Sequence, residues 1–95
     1  MVTQNNLDAE LKELKLKVQL EKLVVGTDRV LKLLRVRGVE KVFLAANCPV
    51  KVRDDVTRYA ALVHIPVVTL PQTNEELGIF CKRHFFISVI GTLGE

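Results

Sequence analysis

The sequence is poor in the residues that build covalent or metal-held scaffolds. Its two cysteines, Cys48 and Cys81, stand far apart, with no CxxC spacing and no histidine arranged beside them for zinc. No zinc site is therefore expected, and both thiols should be buried and free. Glycine is scarce as well, and its 5 residues form neither a Walker-type loop nor a GxGxxG. A nucleotide site of either kind is therefore not expected. No apolar run approaches the roughly 20 residues that a bilayer core requires, and the N-terminal stretch is polar. Neither a membrane span nor a signal peptide is expected, and the cytosol is the expected compartment. Internal repeats, linkers and low-complexity stretches are also missing.

What is present is apolar. Hydrophobic residues make up 48% of the chain and charged residues 26%, a composition that excludes disorder of the low-hydrophobicity type. Ninety-five residues cannot bury two cores, so residues 1–95 are expected to form a single domain. The net charge of +3 says little by itself, but its distribution says more. Arg29, Lys32, Arg35 and Arg37 cluster in and just after one predicted helix with only Asp28 among them. They form either a basic ridge or an ordinary solvated face.

From Leu7, apolar residues recur at Leu11, Leu14 and Val18, a helical stripe that Leu16, Leu20 and Leu23 widen, with Asn5 or Asn6 as the cap. The run Leu23 to Val25 reads as a strand ended by Gly26. Thr27 is then placed to cap a second helix with Val30, Leu31 and Leu34 inward, closed by Gly38. "KVFLAAN" has the continuous apolar character of a central strand covered on both faces. After Asn47, Cys48 and Pro49 turn the chain, a third helix places Val52, Val56, Tyr59, Ala60 and Val63 on one side and must stop before Pro66. "PVVTL" reads as another buried strand. Thr73 and Glu76 have capping-box spacing, opening a short helix with Leu77, Phe80 and Cys81 inward, and "FFISVI" reads as the last strand. Four strands alternating with helices predict an α/β protein whose mixed sheet lies between helical layers.

Three places carry chemistry. At Gly26 and Thr27 a strand passes into a helix, where unpaired amides and the positive end of the helix dipole favour an anion, and Arg29 and Lys32 extend that positive pole along one outward face. Turn geometry alone explains a glycine there equally well, and the charge of Asp28 opposes phosphate. Cys48 precedes a helix whose dipole favours a thiolate, but no base accompanies it, since His64 and His84 are remote; an inert thiol is expected. Asp54 and Asp55 diverge by about 100° on a helix and read as a solvated face. In "CKRHFFISV" two cations and a histidine precede adjacent aromatics. Strand alternation would put one of Phe85 and Phe86 in the core and leave the other to be covered, by a stacked RNA base, a helix or a protein partner; packing of both rings beneath neighbouring loops is the equal alternative.

The ordered set "GTDRVLKLLRVRG", "VFLAANCP", "RYAALVHIPV" and "TNEELG" resembles the kink-turn RNA-binding ribosomal protein superfamily, nearest its ribosomal protein L-thirty-e branch. The likeness runs from about residue 24 to residue 90. It implies a three-layer α/β/α sandwich, no catalysis, no cofactor or metal, and RNA bound through loops at one end of the sheet. By that resemblance Gly26, Thr27, Asp28, Arg29 and Lys32 meet the kinked RNA and its phosphates. Asn47 matches the asparagine after the central strand, and Asn74 and Glu75 belong to the loop opening the fourth helix. Arg83, His84, Phe85, Phe86 and Ile87 match the loop that contacts an unstacked base. Relatives commonly carry lysine or asparagine at the position of Asp28 and glutamine or glutamate at that of Arg29, so the charges of this pair are redistributed, and phosphate contact falls to Arg29 and Lys32. The implied partner is structured RNA, ribosomal RNA with a kink-turn first, together with other ribosomal or ribonucleoprotein proteins. Alternatives are another particle, built on a guide RNA or on ribonuclease P, and a protein-interaction module that keeps the fold.

Overall fold

The computed structural model describes residues 4–94, with side-chain surroundings from residue 9 onward. In chain order the elements are α1 (Gln4–Gln19), β1 (Leu23–Val25), α2 (Thr27–Arg35), β2 (Lys41–Leu44), α3 (Val50–Leu62), β3 (Val67–Thr69), α4 (Asn74–Phe80) and β4 (Val89–Thr92). The strands lie in the order β1-β4-β2-β3. β4 runs antiparallel to both β1 and β2, and β3 runs parallel to β2.

Strand alternation sorts the core into two layers. From β2, Val42 and Leu44 pack with Val30 and Leu34 of α2 and with Val56 and Ala60 of α3. Phe43, between them in sequence, points the other way and packs with Leu14 of α1, Leu77 of α4 and Ile90 of β4. All of these are buried. The result is the three-layer α/β/α sandwich with a four-stranded mixed sheet. "KVFLAAN" reads correctly as a strand covered on both faces: β2 is interior, and Val42, Phe43 and Leu44 are fully buried.

The helices end alike. In each, one non-glycine residue just past the end takes a left-handed φ: Glu21 (56°), Arg37 (55°), His64 (60°) and Lys82 (59°). The amide of the next residue then donates back to a carbonyl five residues earlier: Lys22 to Lys17, Gly38 to Leu33, Ile65 to Ala60 and Arg83 to Gly78. These are Schellman closures, a motif that glycine usually serves at the left-handed position. The expectation that Gly38 would supply the left-handed turn is therefore corrected. Arg37 does so, while Gly38 sits against the Leu33 side chain, where a Cβ would be crowded at 2.9 Å from its Cδ2.

Other sequence expectations change for identifiable reasons. Asn5 and Asn6 lie inside α1 rather than capping it. Leu16 and Leu20 face outward, 52% and 49% exposed. They follow Leu14 by two and six residues, which rotates both roughly 200–240° away from the sheet. Thr27 is not a cap but the first residue of α2, because Gly26 holds the N-cap with φ 105°, and no side chain caps it. β3 is an edge strand, with Val67 and Val68 half-buried and Thr69 exposed, and is not buried throughout. The capping box of Thr73 and Glu76 is present with both reciprocal hydrogen bonds.

The largest change falls on "FFISVI". The strand runs Val89–Thr92, so Phe85 and Phe86 precede it in a loop. Strand alternation does not govern them, and both rings are exposed, Phe85 at 55% and Phe86 at 68%.

Candidate functional site

The sheet topology gathers the loops. Val25 of β1 pairs with Ile90, and Leu44 of β2 pairs with both Val89 and Thr69. Three strands therefore end where β4 begins, and α2, α3 and α4 all start from that edge. Residues far apart in sequence meet there: 26–32, Asn47, Asn74 with Glu75, and the 83–87 loop.

At the start of α2, the Gly26 amide donates to the Val89 carbonyl (3.1 Å), which fixes the turn to β4, and its carbonyl accepts from Val30 (3.1 Å). A Cβ built on Gly26 meets nothing within 4 Å, so the backbone here faces open space. The amides of Thr27, Asp28 and Arg29 precede the first intrahelical donor and no side chain caps them. Asp28, Arg29 and Lys32 are exposed. Among the described residues neither cation belongs to an ion pair. Bare amides, a helix dipole and two free cations make this junction suited to an anion.

Asn47 and Asn74 are joined by two hydrogen bonds. The Asn74 amide donates to Asn47 Oδ1 (2.8 Å), and Asn47 Nδ2 donates to Asn74 Oδ1 (3.1 Å). The Asn74 carbonyl in turn accepts from the Ile87 amide (3.0 Å), and Ala46 donates to the Gln72 carbonyl (2.7 Å). Asn74 thus links the β2–α3 loop to the end of the 83–87 loop. Much of Asn47's hydrogen-bonding capacity is spent inside the protein, holding these loops in register.

The 83–87 loop is pressed onto α4. A methyl group on Gly78 would overlap the Phe85 carbonyl oxygen, so only glycine lets the loop backbone lie this close. Ile87 pins the loop from below; its side chain is 2% exposed and packs with Leu77 and Phe43. The side chain of this expected contact residue is thus turned inward and packed. Arg83, His84, Phe85 and Phe86 stay outside. With Glu75 and Ile79 they line a groove of about 210 Å³. Ile79, 72% exposed, did not emerge from the sequence, although its position two residues after the buried Leu77 turns it outward on a helix. Gly78 was also missed as a contact point; a glycine inside a helical pattern was the available signal.

Both thiols are buried. Burial pushes Cys48 above its ordinary pKa, only partly offset by Arg53, and does the same to Cys81 against Arg83. A raised pKa is the reverse of what a thiolate nucleophile needs. Among the described residues no group of three or more His, Cys, Asp or Glu is placed to hold a metal ion.

The fold and this end of it define a class: an α/β/α sandwich whose uncapped α2 start, asparagine-linked loops and aromatic loop share one edge of the sheet. The same fold occurs in a protein with unknown function from Bacillus halodurans C, with a TM-score of 0.80 at 23% identity over 88% of this chain and 83% of that one. It occurs also in the Giardia lamblia 15.5kD RNA binding protein, with a TM-score of 0.85 at 20% identity over 100% of this chain and 79% of that one. In sequence, the chain is 31% identical over 84 residues to the large ribosomal subunit protein eL30 of Methanopyrus kandleri, covering 88% of this chain and 77% of the relative. It is 32% identical to eL30 of Methanocaldococcus jannaschii, covering 100% of this chain and 86% of the relative. The sequence model of the Ribosomal protein L7Ae/L30e/S12e/Gadd45 family matches residues 8–95. The chain belongs to this family, near its L30e branch, as the four sequence blocks implied.

Proposed function

We propose that residues 1–95 form a single, non-catalytic RNA-binding domain that clamps a kink-turn or internal-loop RNA, as a large-subunit ribosomal protein or a paralogue of one. The supporting observation is the α2 start, where the open backbone at Gly26, the uncapped amides and the unpaired Arg29 and Lys32 offer a site to a polyanion beside an exposed aromatic loop. Gly26 and Thr27 admit the RNA backbone, Arg29, Lys32 and Arg83 neutralise phosphates, and Phe85 and Phe86 offer stacking faces to splayed bases. Asn47 and Asn74 hold the loops in place for that contact. The naming of relatives as ribosomal proteins and of a structural neighbour as RNA-binding supports the same reading. The expected location is a ribosome or another ribonucleoprotein particle in the cytoplasm.

Calorimetric titration tests it. A kink-turn RNA is expected to bind more tightly than a straight duplex of equal length and charge. Equal affinities would remove shape recognition and leave only nonspecific charge, and no binding to either would remove RNA. Sequencing RNA that co-purifies with the chain separates ribosomal RNA from a guide RNA or ribonuclease P RNA.

A further inference from the structure

We propose that the groove between the last turns of α2 and α3 is a docking site for an acidic amphipathic segment of a partner protein. The site lies apart from the RNA face. Both helices start at the edge that carries Gly26 and Asn47, and Arg35 and Leu62 are their last residues, about 12 and 18 Å further along the two axes. An RNA held at the start of α2 therefore leaves this groove open.

The buried Leu34 forms the floor, and Arg35, Tyr59, Leu62 and Val63 form the walls, around a volume of about 210 Å³. That is below the roughly 300–1,000 Å³ of a small-molecule site, so the groove suits one or two side chains presented by a larger partner. Its apolar surface is not spent inside the protein. Leu62 follows the buried Ala60 by two residues, which turns it about 200° round α3, and it is 69% exposed. Val36, the residue after Arg35, is 72% exposed.

The rim is basic. The Arg35 guanidinium carbon lies 5.9 Å from the centre of the Tyr59 ring, a stacking that holds the cation beside the groove. Among the described residues neither Arg35 nor Arg37 belongs to an ion pair. The nearby acids are spent or turned away. Asp55 is held by Arg58 at 2.8 Å, Asp54 and Tyr59 differ by about 140° around α3, and Asp28 lies two turns back on α2. An apolar floor with free arginines beside it calls for apolar side chains flanked by carboxylates, the pattern of an acidic helix laid in a groove. A second copy of this chain would set arginines against arginines. RNA would neutralise the arginines but leave Leu62 and Val36 without apolar cover, and its bases would meet one ring that Arg35 already covers.

The test is amide chemical-shift titration of the intact protein with an amphipathic peptide of about four helical turns, leucine along one face and glutamate on both flanks. Two control peptides carry glutamine or lysine in place of the glutamates. The glutamate peptide is expected to shift the amides of Leu34, Arg35, Tyr59, Leu62 and Val63 at about fivefold lower concentration than the glutamine peptide, the order of two exposed ion pairs. Arg35→Glu is expected to erase that preference with the melting temperature unchanged. Lys12→Glu makes the same change in net charge on α1, in the other helical layer, and is expected to leave the preference intact. Leu62→Ser is expected to raise the concentration needed by about tenfold. No shift with any peptide, equal response to all three, or equal loss in Arg35→Glu and Lys12→Glu would overturn the proposal. Groove amides that shift with protein concentration alone would assign the groove to a second copy, and displacement of the peptide by kink-turn RNA would assign it to RNA; either overturns it. Peptide binding by a chain that ignores kink-turn RNA would strike the RNA reading and leave this one standing.

Discussion

The two ends of the sheet handle charge in opposite ways. At the end where β1 begins, two lysines are used inward. Lys17, 9% exposed, donates to the Leu93 carbonyl at 2.8 Å with Glu40 at 3.9 Å. Lys41 sits between Glu10 and Glu13, 2.9 Å from each, and 5.9 Å from the centre of the Phe43 ring. At the other end, Asp28 stands on the same helix as Arg29 and Lys32, and Glu75 lines the same groove as Arg83, yet among the described residues none of these three cations is in an ion pair. Paired lysines at one end fasten α1 and the last residues to the sheet. Unpaired cations at the other end do no such fastening and remain free for a ligand.

That contrast can be broken first at Gly78, where the effect should be largest. Gly78→Ala forces the Phe85 backbone off α4 and is expected to destabilise the fold by about 1–3 kcal/mol, as overpacking does, measurable by urea unfolding. An unchanged midpoint would mean that the loop is not held there. Next come the rings. Phe85→Ala and Phe86→Ala should leave unfolding nearly unchanged, since both rings are exposed. Whichever ring stacks on a base should lose about 1–3 kcal/mol of RNA affinity. A large loss of stability instead would show that the ring packs into the protein.

At the opposite end, Lys41→Met leaves Glu10 and Glu13 without their shared partner and is expected to cost about 1–2 kcal/mol of stability with RNA affinity intact. It should also alter the pH profile. Burial works to lower the pKa of Lys41, but hydrogen bonds to Glu10 and Glu13 and their charges outweigh it, so the net shift is upward from 10.5. A folded-state pKa above the unfolded one stabilises fully below the unfolded value and loses that contribution as pH rises through the folded value. The wild-type protein should therefore lose this stability above about pH 10.5, and Lys41→Met should show a flatter profile there. Smallest are the helix ends. Replacing Arg37 or His64 by glycine relieves a left-handed side chain at some cost in chain entropy, for a net gain of about 0.5–1 kcal/mol each by thermal unfolding.

Much of the architecture was readable because its signals are local. Gly26 ends a strand, Thr73 and Glu76 form a capping box, and "KVFL" is apolar on both faces. The loops of the site were harder. Nothing within "CKRHFF" marks the end of α4, because Lys82 takes the left-handed turn without a glycine, so the aromatics were read into the following strand. The signal lay upstream at Gly78, whose missing side chain matters only once the loop has folded back on it. Ile87 and Asn47 lie at the same end as the other expected contact residues, but what they do there depends on partners distant in sequence, Leu77 and Asn74, which no local pattern reveals. The outward turn of Leu16 and Leu20 needed the angle to the sheet, not merely the count of apolar positions.

The most direct measurement is the salt dependence of kink-turn RNA affinity for Arg29→Glu/Lys32→Glu beside a charge reversal at the opposite end, Lys22→Glu. Loss of two phosphate contacts should flatten the slope of log affinity against log salt by roughly 1.4–1.8 for the double variant, while Lys22→Glu should leave it nearly unchanged. An unaltered slope in the double variant, or an equal change in Lys22→Glu, would contradict the division of labour between the two ends.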